Sequence, residues 1–294
     1  MVLANHQRIV VGVDGSANST SAAQWAASMA VRLHSPLHIV SAVHEPVYYA
    51  PATPLAIPAD VWEQLRHRAE EVVAGLATAI RDEHASLTVT TRVENASAAR
   101  TLGEHSKTAR MLVVGNSGTG MLASSLLGST AKAVVDKSSC PVVVWRAGST
   151  GADAPVAVGI DGGVTGESAV EFAFEIASAR SVRVRAVHIW NAGRFGGGVA
   201  FPGFVDWADV EHEEAALLAE SLAGWAEKYP DVKVERVLHQ GAAASSLVDF
   251  SASSQLVVVG SRGRGAIARA LVGSTSSNLA YHAHCPVMIC RDGQ

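Results

Sequence analysis

The chain has 294 residues, of which 48% are hydrophobic and 17% are charged, so it can bury a sizeable core, and its length favours roughly two domains. Its net charge is −4 and it has no block of basic residues, which argues against binding to a nucleic-acid backbone. The first residues carry no apolar segment of signal-peptide length, and no uninterrupted apolar run approaches a membrane span, so we expect a cytoplasmic protein without a membrane partner.

The first half of the chain alternates predicted strands and helices. The apolar run Ile9–Val13 predicts a buried strand, and Ser19–Leu33 carries alanines at the spacing of a helix face. Leu87–Val93 alternates apolar and polar residues, as a half-exposed edge strand does. In chain order the predicted elements are strand Ile9–Val13, helix Ser19–Leu33, strand Leu37–Val43, a proline-rich loop, helix Ala59–Glu83, strand Leu87–Val93, helix Ser97–Lys107, strand Met111–Val114, helix Ser129–Lys137 and strand Val142–Trp145.

The second half repeats the first. Correspondences through the first helix lie 147 residues apart and those from the fourth strand onwards lie 145 residues apart, so two residues are lost between them. The repeated pairs include Asp14 and Asp161, Trp25 and Phe172, Gly115 and Gly260, Gly128 and Gly273, and Cys140 and Cys285. This repetition predicts two domains, residues 1–147 and 156–294, joined by a flexible linker at 148–155. In the second domain Gly193–Gly203 replaces the proline-rich loop, and Val210–Lys228 is predicted to be one long helix.

Glycine-rich segments follow the fourth strand of each half. Gly115-Asn-Ser-Gly118 follows an apolar strand, and Gly128-Ser-Thr130 then opens a helix. The second half has the same arrangement in Gly260-Ser-Arg-Gly263 and Gly273-Ser-Thr275. Glycine lets backbone N–H groups converge, and the unpaired N–H groups of a helix start point the same way, which makes an anion site. Turns followed by a Ser/Thr helix cap are the alternative interpretation of each motif taken alone.

The whole pattern, G-x2-G-x9-G-S/T between a strand and a helix, resembles the nucleotide-binding signature of the universal stress protein family. The resemblance covers essentially the whole chain, as two tandem copies. It implies an α/β fold of two doubly wound, Rossmann-like (HUP-type) parallel sheets, each of five strands in the order 3-2-1-4-5. It also implies binding of ATP, with or without Mg, or of ADP or AMP, and a regulatory role under stress with at most slow ATP hydrolysis.

In that strand order the winding reverses between the first and fourth strands, and open α/β sheets bind ligands at such a reversal. Because a carboxylate repels phosphate, Asp14 and Asp161 are expected at the nucleoside end, although a helix N-cap or an Asx turn would also explain Asp14. The glycine segments are expected to wrap the phosphates, and no catalytic or metal-binding residue is predicted. The predicted cofactor-binding residues are Gly12, Asp14, Val40, Gly115, Asn116, Ser117, Gly118, Thr119, Gly120, Met121, Gly128, Ser129 and Thr130 in the first half, and Gly159, Asp161, Gly260, Ser261, Arg262, Gly263, Arg264, Gly265, Ala266, Gly273, Ser274 and Thr275 in the second.

The sequence also predicts how the halves differ and how they associate. Arginines surround the second glycine segment where the first has hydroxyl residues, which predicts tighter and more salt-sensitive binding of a triphosphate by the second half. These arginines are Arg262, Arg264 and Arg269. The fifth strands, Val142–Trp145 and Val287–Cys290, are continuous apolar edges that must be covered, so the halves are expected to pair along them. The sequence does not decide whether whole chains form a homodimer. The three cysteines are interpreted as buried packing residues.

The sequence also bears on functions other than nucleotide binding by a regulator. A P-loop needs a lysine before Ser129 or Ser274, which the chain lacks. The dinucleotide fingerprint G-x-G-x-x-A occurs at Gly118 and Gly263, but it follows the fourth strand rather than the first. His44 and His188 recur near the end of the second strand as a candidate general base, with a histidine bonded to backbone as the favoured interpretation. The alternative function is a nucleotide-free oligomeric scaffold.

Overall fold

The computed structural model describes residues 7–44, 59–118, 127–148, 150–191, 207–262 and 272–291. The chain divides into two compact units, residues 1–146 and residues 147–294. The predicted proline-rich loop and Gly193–Gly203 lie outside the described residues.

The first unit alternates strands and helices as predicted. Its elements are β1 (Ile9–Gly12), α1 (Ala17–Arg32), β2 (Leu37–Val43), α2 (Ala59–Glu83), β3 (Val89–Asn95), α3 (Ala98–Ser106), β4 (Met111–Gly115), α4 (Ser129–Lys137) and β5 (Val142–Trp145). The strand β3 lies two residues further along than predicted, because Leu87 still belongs to the turn after α2. Its N–H donates to the His84 carbonyl at 2.9 Å.

The second unit repeats this order with one difference. Its elements are β6 (Val156–Ile160), α5 (Val164–Arg180), β7 (Val184–Trp190), α6 (Trp207–Ser221), α7 (Trp225–Lys228), β8 (Val234–Gln240), α8 (Ala243–Ser251), β9 (Leu256–Gly260), α9 (Ser274–His282) and β10 (Val287–Cys290). The prediction of one helix over Val210–Lys228 is wrong. Gly224, between α6 and α7, has a φ of 77°, a left-handed conformation that glycine adopts readily and that a continuing right-handed helix excludes.

Each unit contains one parallel five-stranded sheet. In the first unit β1 pairs with β2 and β4, β2 pairs with β3, and β4 pairs with β5. The second unit has the same pairings, so the strand orders are β3-β2-β1-β4-β5 and β8-β7-β6-β9-β10. The prediction of two tandem doubly wound α/β sheets is confirmed, and the winding reverses between β1 and β4 and between β6 and β9.

The pairing also locates the two residues that the second half lacks. Leu37 pairs with Val89 in the first unit, and Val184 pairs with Val234 in the second. The deletion therefore falls between β7 and β8, in the stretch that contains α6 and α7.

Alanine forms the inner face of α1, which lies against β1 and β4. Ala22, Ala23, Ala26 and Ala30 are fully buried, and such small side chains allow a close approach of helix and sheet. The helix starts after Ser16, whose hydroxyl accepts the Ser19 N–H at 3.1 Å, a cap that is worth about 1 kcal/mol. The start of α1 is thereby fixed directly beside the end of β1.

The three cysteines are buried and form no disulfide with one another. Burial raises the pKa of the Cys290 thiol well above its usual range, so this thiol stays neutral and inert. The interpretation of the cysteines as packing residues is confirmed. Among the residues described, no helix combines the length and apolar character that crossing a membrane requires.

Candidate functional site

A pocket of about 340 Å³ opens at the carboxyl ends of β1 and β4 in the first unit, where the winding of the sheet reverses. Its lining combines apolar side chains with glycines and polar side chains, which come from β1, β2, β4, the starts of α1, α3 and α4, and the turns between them. The apolar members are Val13, Val40, Ala42, Ala98, Leu102, Val114 and Ala131, and the others are Gly12, Asp14, Ser19, Gly115, Ser117, Gly118, Gly128, Ser129 and Thr130. The pocket therefore brings most of the described site residues predicted for the first half to one place.

Asp14 lies in the turn between β1 and α1. Gly15 has a φ of 81°, and the Ser16 N–H donates to Asp14 Oδ1 at 3.0 Å, which is the Asx turn that the sequence left open. The other carboxylate oxygen faces the segment after β4, since a Cβ on Gly118 would lie only 2.5 Å from Asp14 Oδ2. The two motif pieces predicted to meet at the reversal of the sheet thus touch at Asp14 and Gly118.

Asn116 connects the glycine loop, defined here as Gly115–Gly118, to its neighbours. It is buried, its N–H donates to the Trp145 carbonyl at 2.9 Å, and its carbonyl accepts the Gly128 N–H at 2.7 Å. The end of β5 and the start of α4 are therefore both bonded to one residue of the loop.

Gly115 is a glycine because a side chain from α1 approaches it. A Cβ at this position would lie 2.7 Å from Asn18 Nδ2 and 3.3 Å from the Ser117 carbonyl oxygen. The close approach that excludes a side chain at residue 115 is thus one between α1 and the loop.

The second unit builds the same backbone arrangement. The Ser261 N–H donates to the Cys290 carbonyl at 2.6 Å, and the Gly273 N–H donates to the Ser261 carbonyl at 2.7 Å. Asp161 again follows the first strand of the unit, with its Oδ1 accepting the Gly163 N–H at 2.9 Å. Gly159 lies in β6, Gly260 ends β9, and α9 begins at Ser274 and Thr275.

Part of each predicted site lies outside the described residues. In the first unit these are Thr119, Gly120 and Met121, and in the second they are Gly263, Arg264, Gly265 and Ala266. Arg262 is the last described residue before the gap in the second unit and is half-buried.

A model of the universal stress protein family matches this chain twice, over residues 5–146 and 154–291. The two matches correspond to the two compact units. The chain belongs to the universal stress protein family. Two family copies in one polypeptide make it a tandem universal stress protein, as the glycine signature predicted.

Similar proteins match over nearly the full length. A universal stress protein of Mycolicibacterium smegmatis is 41% identical over 288 residues, covering 96% of this chain and 96% of the relative. One from Mycobacterium tuberculosis is 40% identical over 290 residues, again covering 96% of both chains. The crystal structure of a universal stress protein from Archaeoglobus fulgidus has a TM-score of 0.67 at 18% identity and covers 99% of this chain and 100% of that chain. This last likeness supports the universal stress protein fold.

Sequence reasoning missed several residues around the pocket of this universal stress protein. Ser19 lies against it, and its hydroxyl accepts the Asp14 N–H at 3.3 Å. Ala98 and Leu102 come from α3, which carries no glycine signature, and Asn18 bonds to the loop from α1. Ser19 follows Asp14 by only five residues, so its place near the site could have been inferred from the sequence. The contribution of α3 could not, because it depends on how that helix packs.

The pairing of His44 with His188 is wrong. Val187 pairs with Gly159 and Val40 pairs with Gly12, so His188 corresponds to Ser41 and not to His44. His188 is buried, and its Nδ1 lies 2.7 Å from the Ile160 carbonyl oxygen, so the backbone-bonded interpretation is confirmed for this histidine. Its Nε2 lies 2.5 Å from Glu214 Oε2 in α6, a contact that the sequence did not indicate.

A second buried histidine, His38, lies in the first unit, in the strand β2 that also lines the pocket. His38 is buried, its Nδ1 lies 2.8 Å from Thr90 Oγ1, and its Nε2 has no hydrogen-bond partner in the part of the chain that the structure describes. Burial, with Arg8, His105 and Arg92 nearby, lowers the pKa of His38 to about 4, while Glu94 acts in the opposite direction. His38 is therefore a neutral imidazole at neutral pH.

Proposed function

We propose that this universal stress protein binds ATP, or the related ADP or AMP, in each unit and acts as a stress-response regulator in the cytoplasm, with at most slow hydrolysis. The observation that carries the proposal is the pocket at the reversal of the first sheet. Its volume of about 340 Å³ lies within the range of small-molecule sites, which are largely apolar with a few well-placed polar groups.

The lining of the pocket suits the two ends of a nucleotide. Val40 and Ala42 of β2 and Leu102 of α3 offer apolar surface to a base. Gly118, and the start of α4 at Ser129, offer backbone N–H groups and the positive end of a helix dipole to phosphate. The family resemblance supports the same assignment, and a bound Mg would accompany the triphosphate.

Thermal unfolding with and without nucleotide tests the proposal. At 100 times its dissociation constant, a ligand that binds only the folded state adds about 2.7 kcal/mol to the free energy of unfolding. We therefore expect ATP to raise the melting temperature and adenosine to raise it less. An unchanged melting temperature at saturating ATP would favour the nucleotide-free scaffold, and a kcat above about 1 s⁻¹ would contradict the regulatory role.

Gly118→Ala is expected to weaken ATP binding by about tenfold, or 1.4 kcal/mol, because the new Cβ displaces the Asp14 carboxylate that it would otherwise meet at 2.5 Å. The displaced oxygen is the end of an exposed side chain, so the fold should tolerate the change. Isothermal titration measures the affinity. Gly75→Ala is the control, since a Cβ on Gly75 in α2 meets nothing within 4 Å.

The second unit is expected to bind triphosphate more tightly and with a steeper salt dependence, because Arg262, with Arg264 and Arg269, can form charge-assisted hydrogen bonds to phosphate. Calorimetry at two salt concentrations on Asp14→Ala and on Asp161→Ala, each of which leaves the other unit intact, measures the difference. Equal affinities with equal salt slopes would show that these arginines do not contact phosphate.

The fifth strands are also proposed to associate. Val142–Trp145 and Val287–Cys290 consist of apolar residues, and a protein does not leave such strands as open edges. A crystal structure of the full chain in which both strands face solvent would contradict this pairing.

A further inference from the structure

The side chain of Asn18 joins two segments that are remote in sequence. Asn18 lies in the first turn of α1, and its Nδ2 is 2.8 Å from Asn116 Oδ1, 2.9 Å from the Ser117 carbonyl oxygen and 3.3 Å from Ser117 Oγ. A carbonyl oxygen only accepts hydrogen bonds, so the atom of Asn18 that faces it must be the amide nitrogen. The orientation of the amide is therefore fixed by its partners.

We propose that Asn18 is a positioning residue for the glycine loop of the first unit, which it holds in the form that binds the phosphates of the nucleotide. The inference rests on the proposed function. Asn18 was not part of the glycine signature, and its side chain acts on the nucleotide through Asn116 and Ser117.

The geometry of one peptide group explains how Asn18 would act. The peptide bond between Ser117 and Gly118 is trans, and in a planar trans peptide the C=O and the N–H point in opposite directions. Because the Ser117 carbonyl is bonded to Asn18, the Gly118 N–H must point away from Asn18. Ser117 and Gly118 both line the pocket, so the orientation of this peptide decides whether an N–H or a carbonyl oxygen is presented to an anion there.

The surrounding contacts show that this arrangement is tightly built. Gly115 leaves room for the amide, since a Cβ there would lie 2.7 Å from Asn18 Nδ2. Asn116, the other acceptor, is buried and is bonded through its backbone to Trp145 and Gly128. By fixing Asn116 and Ser117 together, Asn18 connects the turn that carries Asp14 to the segment that carries Gly118.

The second unit has a different side-chain bond beside its glycine segment. There the hydroxyl of Ser276 in α9 donates to the Gly260 carbonyl at 2.6 Å, and the first unit has Ala131 at the corresponding place. In the first unit a residue of α1 bonds to the carbonyl of Ser117, whereas in the second a residue of α9 bonds to the carbonyl that corresponds to that of Gly115. The second unit is therefore an internal reference in which changes at Asn18 should have no effect.

The test replaces Asn18 by aspartate in the full-length chain. The aspartate side chain has nearly the same shape but offers oxygen to the Ser117 carbonyl, so it should repel that carbonyl, and turning the Asn116 amide cannot relieve this contact. Ala17→Asp is the matched control, because it adds the same charge one residue earlier at an exposed position. Asn18→Ala is a second variant, which removes the donor without adding charge.

Hydrogen exchange of the peptide that covers residues 127–137, followed against ATP or adenosine concentration, reports binding to the first unit alone. For Asn18→Asp and Asn18→Ala we expect the ATP affinity to fall by about tenfold or more. Both variants remove the Asn18 amide donor from the Ser117 carbonyl and from Asn116 Oδ1, so the peptide between Ser117 and Gly118 is free to turn. We expect the adenosine affinity to change by less than about twofold, since the nucleoside does not use the loop N–H groups. Exchange in residues 272–282 should follow ATP as in the wild type, and Ala17→Asp should bind ATP nearly as the wild type does.

The outcomes separate this inference from the proposed function. If the wild type shows no ATP-dependent protection in either unit, the proposed function fails. If the wild type binds but Asn18→Ala keeps its ATP affinity, or loses ATP and adenosine affinity by the same factor, Asn18 is not a positioning residue for phosphate. An equal loss of ATP affinity in Ala17→Asp and Asn18→Asp would attribute the effect to charge alone, provided that Asn18→Ala binds normally.

Discussion

Phe174→Ala is expected to lower the free energy of unfolding of the second unit by about 3–5 kcal/mol, the usual cost of removing a fully buried phenylalanine. Phe174 lies in α5 with none of its surface exposed. Its ring centroid is 5.6 Å from that of Trp225 and 5.9 Å from that of Tyr229. The substitution removes both aromatic contacts and leaves a cavity between α5 and the segment that contains α7.

Hydrogen exchange in β9 of the second unit and β4 of the first measures this effect separately for each unit. Phe174→Leu is the matched control and should cost less than about 1.5 kcal/mol, because it conserves most of the volume. If Phe174→Ala exchanges in β9 at the same rate as Phe174→Leu, the aromatic cluster does not stabilise the second unit as described.

Acidification is expected to destabilise the first unit through His38. The pKa of His38 is about 4 in the folded protein, compared with 6.5 for an ordinary histidine. As the pH falls below 6.5, His38 becomes protonated in the unfolded chain, whereas in the folded chain it stays neutral until about pH 4. The contribution of neutral His38 to the free energy of unfolding is therefore fully present above pH 6.5 and is lost as the pH falls to 4. The loss is about 3 kcal/mol, at about 1.36 kcal/mol for each unit of pKa difference.

Urea denaturation at pH 7 and pH 4 measures the effect. His38→Asn cannot take up a proton and should lose about 3 kcal/mol less than the wild type between the two pH values. His67→Asn is the control, because it makes the same substitution at a side chain that is 72% exposed. A His38→Asn protein as acid-sensitive as the wild type would show that His38 becomes protonated without unfolding.

The two units illustrate how far a duplicated sequence keeps its contacts. Their backbones repeat the same strand pairings and the same bonds from the loop to the neighbouring strand and helix. Their side-chain contacts differ, since Ala27 occupies the place of Phe174, and Ser41 occupies that of His188. Binding by one unit is thus a poor guide to the strength of binding by the other.

The sequence by itself determined the repeated α/β architecture and the edge of the sheet that carries the candidate site. Runs such as Met111–Val114 and Leu256–Val259 are apolar because both faces of a parallel strand are buried, so the strands could be found without a structure. The glycine signature then predicted that the segments after β1 and β4 meet, because the carboxyl ends of parallel strands lie on one edge. These inferences depend on local periodicity and on chain order, which a sequence contains directly.

The tertiary structure alone decided which side chains act on that edge. The bond from Asn18 to Asn116 spans 98 residues, and the contacts of His38 with Thr90 and of His188 with Glu214 join residues of different elements. Gly115 fits a close approach by Asn18, which its place in the motif did not reveal. Such contacts depend on the distance between two packed elements and on side-chain orientation, and neither quantity produces a periodic pattern of residues in the sequence. The break at Gly224 was missed for a related reason, since the apolar spacing on both sides is helical and only the positive φ of one residue separates α6 from α7.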